Sequence, residues 1–360
     1  MYKRQEVAEA AAEALSRLTY ALPPFATPER LSLVNRLRDH WLPAHIRKVS
    51  FFGSGSEAND SAIRLARQYQ LARGREKRYK VIGRDASYNG TSLATLSVGG
   101  HTLRRRGFDP LLLDMPHAPA FYCLRCPMGK RWPSCGVACA HELEAVIQRE
   151  GADTISAFLA EPVVGTSGGA LVPPDDYWPA IEEICKRHDI LLIADEVLTG
   201  FGRTGKRFAV DHWSVNADVI VLGKGMSGGY ASISALSTTE SVTGALSDAG
   251  MMPMFHTYGG HPVHCAAADK VLQIMDEEKL VERVERLAPV LEHKRRSLEE
   301  LPNVAQVRGK GFFWCVEIVR DTTTLERFPE SSGVTYKLME APVKRDVCTY
   351  FGGTGDVRDV

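Results

Sequence analysis

The feature that most constrains the fold is a series of short, unbroken apolar runs that alternate with amphipathic segments. These runs include "TISAFLAEP" from residue 154, "ILLIADE" from residue 190 and "DVIVLG" from residue 218. The segment "DDYWPAIEEICKRHD" between the first two places Ile181 and Ile184 on one face of a helix. Strands that are apolar at nearly every position are typical of a sheet covered on both faces. We therefore predict an α/β fold, with a mainly parallel sheet sandwiched by helices.

The pattern changes near His264, which predicts a second region. A long helical stretch from residue 264 to residue 301 leads to the strand-like "GFFWCVEIV". We predict a large domain over residues 1–265, with a cysteine-rich insertion at 121–140. Residues 266–360 would form a linker helix and a partial, smaller α+β C-terminal domain. The abrupt start "MYKRQ" and the glycine-rich end "GGTGDVRDV" suggest a chain truncated at both ends.

Charge and hydropathy exclude several classes of function. The chain of 360 residues carries 44 basic and 44 acidic side chains, so it has no basic surface signature for nucleic acid. It also lacks an apolar run of transmembrane length and an evident signal peptide. We therefore expect no nucleic-acid partner, no membrane partner and a cytoplasmic location.

The stretch "DVIVLGKGMSGG" places Lys224 between two glycines, directly after an apolar strand. Lysine is almost never fully buried without a partner, because desolvating its charge is costly. Lys224 could be a surface lysine in a turn. It could also be a lysine kept neutral enough to act as an amine nucleophile.

Two other strand ends carry polar groups. In "FFGSGSEAND" a Gly/Ser loop leads into a helix, which predicts either a phosphate-binding cup or a plain turn with a serine N-cap. In "LLIADEVLTGFGRTG" the strand ends at Asp195, at the edge where open α/β sheets bind ligands. The alternative is that Asp195 caps a local turn.

An anion cup, a strand-end acid and a strand-end lysine together match the needs of one type of cofactor. A phosphorylated pyridine aldehyde needs a site for its phosphate and a carboxylate for its protonated ring nitrogen. Its aldehyde needs a neutral lysine for a Schiff base. Lys224 would then be the lysine that forms this bond.

Six stretches carry a resemblance to a known family: "GSGSEAND", "SYNG", "AEPVVG", "ADEVLTGFGRTG", "LGKGMSGGY" and "HTYGGHPVHCAAA". In their order and spacing they resemble the class III pyridoxal-phosphate-dependent aminotransferases of fold type I. The resemblance implies pyridoxal 5'-phosphate as cofactor, Lys224, Asp195 and Glu161 as catalytic residues, and a homodimer with shared active sites. It also implies cofactor-binding roles for Gly55, Ser56, Tyr88, Asp195, Val197, Lys224 and Thr257.

The implied roles differ from residue to residue. Gly55 and Ser56 would hold the phosphate, and Tyr88 would stack on the ring. Val197 would pack on the opposite face of the ring. Thr257 would reach the phosphate of the neighbouring subunit.

Departures from the family pattern bear on the substrate. Asn89 stands where the family often has histidine, and Leu198 stands where the ornithine and γ-aminobutyrate branches usually carry glutamine. The resemblance therefore implies transfer of an amino group from an amine or ω-amino acid to a keto acid, either pyruvate or 2-oxoglutarate. A diaminopelargonate-type aminotransferase, an aminomutase and a decarboxylase remain alternatives, as does an inactive fragment or zinc-binding scaffold. No arginine for a substrate carboxylate can be aligned near the C-terminal end, where Tyr350 takes the expected place and Arg358 follows a glycine-rich insertion.

Four cysteines form a cluster: Cys123, Cys126, Cys135 and Cys139. Their C-x2-C-x8-C-x3-C spacing resembles a compact zinc knuckle. The alternative, which we prefer, is an inserted loop whose reduced thiols pack beside Pro127, Trp132 and Pro133. We therefore expect no metal in the active site.

Overall fold

The computed structural model describes residues 4–353, and Arg358 lies outside them. Ten strands lie at β1 Ile46–Phe52, β2 Lys80–Asp85, β3 Gly99–Gly100, β4 His117–Ala118, β5 Ile155–Ala160, β6 Leu191–Asp195, β7 Val219–Leu222, β8 Ser234–Thr239, β9 Val304–Lys310 and β10 Phe313–Ile318 within these described residues. The α-helices of the same part of the chain are α1 Gln5–Arg17, α2 Pro28–Arg36, α3 Gly55–Ala72, α4 Leu93–Val98, α5 Thr102–Arg105, α6 Ala138–Glu150, α7 Tyr177–His188, α8 Glu240–Asp248, α9 Pro262–Glu277, α10 Leu280–Arg296 and α11 Val334–Val343.

Eight of these strands form one sheet in the order β1-β8-β7-β6-β5-β2-β3, with β4 also paired to β2. Strand β8 is antiparallel to both β1 and β7, and the other pairings in the sheet are parallel. The prediction of a mainly parallel sheet is confirmed. Because β2, β5, β6 and β7 run in one direction, their carboxyl ends meet at a single edge.

The apolar runs are buried because helices cover both faces of the sheet. On one face, Leu159 and Ile193 belong to the apolar cluster that includes Ala62 and Leu65 of α3. Their strand neighbours point the other way, into the cluster that contains α7. Successive side chains of a strand alternate between faces, so both faces must be apolar when both are covered.

The C-terminal part of the described chain is a helix pair followed by an antiparallel hairpin, β9 and β10. Sequence analysis predicts a single helical stretch from residue 264 to residue 301, but the helix is broken. Helix α9 ends at Glu277, and Lys279 has a left-handed backbone with φ +49° before α10 begins. The predicted domain boundary near residue 265 stays a prediction.

Within residues 4–353, no helix is both long and apolar enough to cross a membrane.

Candidate active site

Three chemically active side chains follow neighbouring parallel strands. Glu161 follows β5, Asp195 is the last residue of β6, and Lys224 comes two residues after β7. The registers of β5 with β6 and of β6 with β7 bring these strand ends to the same edge of the sheet. The structure therefore brings together the three residues that the sequence predicts to be catalytic.

Asp195 is a buried carboxylate, 3% exposed, that accepts hydrogen bonds from neutral donors. Its Oδ2 accepts from the side-chain amides of Asn59 and Asn89, each at 2.8 Å. Its Oδ1 accepts from the backbone N–H of Val197 at 3.1 Å, so Asp195 also caps the local turn. Burial raises the pKa of Asp195, and the Asn89 amide, the Val197 N–H and the nearby charge of Lys224 oppose that rise.

Glu161 is also buried, and two backbone N–H groups hold its carboxyl. Its Oε2 accepts from Tyr88 at 3.0 Å and its Oε1 from Gly165 at 2.9 Å. Burial, followed by the negative charge of Asp195, raises the pKa of Glu161 to about 7. A carboxyl with such a pKa can change protonation near neutral pH, which suits a group beside a reacting substrate.

Lys224 begins a short 3-10 turn, and its φ of +33° is unusual for a residue with a side chain. The side chain is exposed in this chain, as the alternative of a surface lysine in a turn describes. The role of Lys224 as an amine nucleophile stays a prediction. Its place beside Asp195, at the edge of the sheet, agrees with the predicted nucleophile.

The loop before α3 is the predicted cradle for an anion. Ser54 is the N-cap of α3, and its Oγ accepts from the N–H of Glu57 at 3.2 Å. The serine-cap alternative is therefore correct for Ser54. It is compatible with the cup, because the first-turn N–H groups of Gly55 and Ser56 have no acceptor within the helix.

Val197 connects this cradle to the lysine turn. A Cβ added to Gly55 would lie 2.9 Å from Val197 Cγ1, and one added to Gly223 would lie 3.2 Å from the same atom. Both glycines thus let the backbone approach Val197 closely. One small region is consequently lined by the N-terminus of α3, by Val197 and by Gly223, the residue before Lys224.

The two remaining predicted residues differ in position. Tyr88 is partly buried and is linked to the site through its N–H bond to Glu161. Thr257 is exposed, and its backbone oxygen accepts from the Tyr20 hydroxyl at 3.0 Å. Its predicted contact lies in a second subunit, which the single chain does not test.

These residues fit pyridoxal phosphate. The described residues give Asp195 only neutral donors at hydrogen-bond distance, so a protonated ring nitrogen would supply a direct positive partner. The α3 N-terminus suits a phosphate, and Lys224 offers an accessible amine. The chemistry of the donor set thus agrees with the cofactor predicted from the sequence.

Comparison with known proteins decides the family. The profile of the class III aminotransferases matches residues 2–349. The chain belongs to the class III aminotransferase family. It is therefore an enzyme, a transferase that depends on pyridoxal phosphate.

Relatives of this aminotransferase include enzymes with named substrates. It is 35% identical to a putrescine–pyruvate aminotransferase of Pseudomonas aeruginosa, over 91% of this chain and 72% of the relative. It is 34% identical to an adenosylmethionine-8-amino-7-oxononanoate aminotransferase of Geobacter sulfurreducens, over 90% of this chain and 73% of the relative. A crystal structure of an (S)-enantioselective omega-transaminase from Thermomicrobium roseum superposes with a TM-score of 0.91 at 36% identity, over 98% of this chain and 79% of that one.

Sequence analysis missed two residues of this candidate site. Asn59 is 1% exposed although it lies on an amphipathic helix. The sequence signal for its role was its spacing of four residues from Gly55, which places both residues on one face of the helix. Arg84 is fully buried within β2, and its Nη2 donates to the backbone oxygen of Glu161 at 2.9 Å. Its positive charge opposes the rise in the pKa of Glu161.

The cysteine cluster lies apart from these residues and lines a cavity of about 20 Å³ together with Trp132 and Pro174. Burial and the neighbouring thiols raise the pKa of Cys123, and they raise that of Cys139 to about 11. Among the described residues, no group of three or more His, Cys, Asp or Glu side chains is arranged to hold a metal ion.

Proposed function

We propose that this enzyme moves an amino group from an amine or ω-amino acid to a keto acid, either pyruvate or 2-oxoglutarate, through a Schiff base at Lys224. The observation that carries the proposal is the convergence of Lys224, Asp195 and Glu161 at one sheet edge, beside the α3 N-terminus. The putrescine–pyruvate relative and the omega-transaminase structure support this substrate class. Leu198 supports it too, because it is an apolar side chain close to Glu161. A Cβ added to Gly165, whose N–H binds Glu161, would lie 2.8 Å from Leu198 Cδ2.

Each side chain has a distinct task in this proposal. Bound pyridoxal phosphate supplies an electron sink for the charge that develops on the substrate carbon. Asp195, held by Asn59 and Asn89, keeps the ring nitrogen protonated. The Lys224 amine would take up the proton from the substrate carbon and return it. Gly55 and Ser56 bind the phosphate.

Other residues would orient the ring and shield it from water. Tyr88 and Val197 would pack against its two faces. Glu161 would lie beside the substrate, and its change of protonation near neutral pH would let it accept a proton or a hydrogen bond.

We further propose a homodimer in which Thr257 completes the phosphate site of the partner. Large apolar side chains surround Thr257 and are exposed in the single chain: Met252 by 74%, Met254 by 56%, Phe255 by 54% and Tyr258 by 67%. Exposed apolar patches mark interaction sites in soluble proteins. A twofold axis would give both subunits the same contact. The proposed location is cytoplasmic.

A diaminopelargonate-type aminotransferase is the second candidate, favoured by the relative from Geobacter sulfurreducens. An aminomutase, a decarboxylase and an inactive fragment or zinc-binding scaffold are further alternatives. A panel of amines and ω-amino acids, each incubated with and without a keto acid, separates a transaminase from an aminomutase or a decarboxylase. Only a transaminase needs the second substrate.

Reduction of the cofactor-loaded protein with borohydride tests the lysine. We expect mass spectrometry to find the cofactor on Lys224, because its amine lies at the sheet edge beside Asp195. Lys206, which is paired with Glu285 at 2.6 Å on another surface, serves as an internal control. Label spread over several surface lysines would reject the assignment.

A further inference from the structure

The proposed reaction requires a positive group for a carboxylate at the mouth of the site. A keto acid carries a carboxylate next to its carbonyl carbon and would approach the buried carboxyl of Glu161. An anion without a positive partner in a partly dry site is costly, and it is repelled by Glu161 whenever that group is ionised. Lys224 serves the Schiff base and the proton transfer, so a second cation is needed for the carboxylate.

Arg104 lies at the correct edge of the sheet. It belongs to α5, which follows β3, and β3 is parallel to β2. The carboxyl end of β3 therefore faces the same edge as the ends of β5, β6 and β7, where Glu161, Asp195 and Lys224 lie.

The Arg104 guanidinium lies over the ring of Tyr88, with its Cζ 4.7 Å from the ring centroid. Tyr88 is in turn bound to Glu161 through its backbone N–H. A cation–π contact uses the face of the guanidinium, whereas hydrogen bonds to a carboxylate use its edge. Arg104 can therefore keep its contact with Tyr88 and still bind a carboxylate with two parallel N–H donors.

The charge of Arg104 is also available to bind a carboxylate. Within residues 4–353 it forms no salt bridge, and its side chain is exposed. Its neighbour Arg105 is held by the backbone oxygens of Ser97 at 2.7 Å and Gly99 at 3.0 Å.

Other arginines near the site are buried. Arg84 is fully buried, and its Nη2 donates to the backbone oxygen of Glu161. Arg308 is 8% exposed and bonds Glu317 and the backbone oxygens of Gly168 and Gly169.

We propose that Arg104 binds the carboxylate of the keto-acid acceptor, and that of an ω-amino acid donor. This inference rests on the proposed function and deepens it by naming how carboxylate substrates are recognised. An amine without a carboxylate would not use Arg104, so the residue would separate the two donor classes.

The experiment compares Arg104→Met with Arg106→Met in the cofactor-loaded protein. Arg106 is exposed, directly follows α5 and serves as the matched control. Butylamine and 4-aminobutanoate are the donors, since they differ by the carboxylate. Pyruvate and propanal are the acceptors, since propanal is a three-carbon carbonyl compound without a carboxylate. Each half of the reaction is followed by the absorbance of the cofactor.

We expect Arg104→Met to raise the apparent Kd of pyruvate and 4-aminobutanoate about 10- to 100-fold, as for the loss of a charge-assisted bidentate pair. The values for butylamine and propanal should stay within about twofold, and Arg106→Met should match the wild type. Arg104→Lys should fall between, because it keeps the charge but loses the planar fork.

A second readout does not depend on activity. Phenylglyoxal should modify both exposed arginines, and mass spectrometry should show that pyruvate protects Arg104 but leaves Arg106 reactive. Unchanged pyruvate binding in Arg104→Met, equal losses for propanal, or absent protection would overturn the role of Arg104. A wild-type protein whose cofactor spectrum responds to no amine would instead overturn the proposed function, and this inference with it.

Discussion

The hydrogen bond from Asn89 to Asp195 gives the sharpest prediction about the site. Asn89 is 3% exposed, and its Nδ2 lies 2.8 Å from Asp195 Oδ2. The substitution Asn89→Leu keeps the approximate shape and removes the donor. A hydrogen bond to a charged group contributes about 1.5–3 kcal/mol, which corresponds to about 10- to 150-fold in rate. We expect kcat/KM to fall within that range.

The pH profile of kcat/KM should also shift in a direction that a general loss of stability would not produce. Burial already raises the pKa of Asp195, and the Asn89 amide opposes that rise. Removing the amide raises the pKa further, so Asp195 becomes protonated at a higher pH. The acid limb of the kcat/KM profile should therefore move to higher pH, with a larger loss of activity at pH 6 than at pH 8.

A matched control separates this effect from loss of packing. Gln70 is a fully buried amide on the same helix as Asn59, and its Nε2 donates to the Ser156 backbone oxygen at 3.3 Å, away from Asp195. Gln70→Met should lower the melting temperature without moving the acid limb. If Asn89→Leu leaves the limb in place while cofactor still binds, Asn89 does not support the charge of Asp195.

Three further predictions concern other parts of the chain. Burial raises the pKa of Glu196 to about 7, so its stabilising effect should be complete below pH 4.5 and lost as the pH rises through 7. Thermal melts should show Glu196→Gln gaining stability relative to wild type between pH 5 and pH 8, and a constant difference would contradict the burial of this carboxyl. The cysteine cluster should hold no stoichiometric zinc, so metal analysis of protein prepared without chelator should find far less than one zinc per chain, and one per chain would reverse this conclusion. Mixed Lys224→Ala and Thr257→Ala subunits, each inactive alone, should regain part of the activity after subunit exchange, since one of the two sites is then intact; no recovery despite confirmed exchange would count against a shared site.

The parts of the structure that the sequence predicts are those with a local signal. The runs at β5, β6 and β7 are apolar at nearly every position, and that pattern alone requires cover on both faces. The position of Asp195 and Lys224 at strand ends follows from the same runs. The role of Asn59 does not, because its partner Asp195 lies 136 residues away in the chain.

Other features had no local signal at all. The break between α9 and α10 falls in "MDEEKLVER", which contains neither glycine nor proline, and Lys279 adopts its left-handed backbone within good helix formers. The sequence left the exposure of Lys224 open, because an apolar strand does not determine how far the next side chain extends from the sheet edge. Tertiary packing determines both features.

The C-terminal hairpin contributes to the site although it lies far from it in sequence. Arg308 of β9 donates through Nε to the Gly169 oxygen at 2.7 Å and through Nη2 to the Gly168 oxygen at 2.9 Å. These glycines belong to the loop whose Gly165 N–H holds the Glu161 carboxyl. The loop is therefore fixed at both ends.

The charge of Arg308 is balanced where it is buried. Glu317 of β10 is 1% exposed and accepts from Arg308, from Arg125 and from the Tyr122 hydroxyl, and these partners hold its pKa below the usual range despite burial. A buried pair of this kind is strongly destabilising when one partner is lost, because the other charge remains unpaired. The hairpin thus supports the orientation of Glu161 through a buried ion-pair network, and loss of any one partner should destabilise it strongly. The residues that hold Glu161 in place therefore extend from β2 to β10, well beyond the motifs that identify the family.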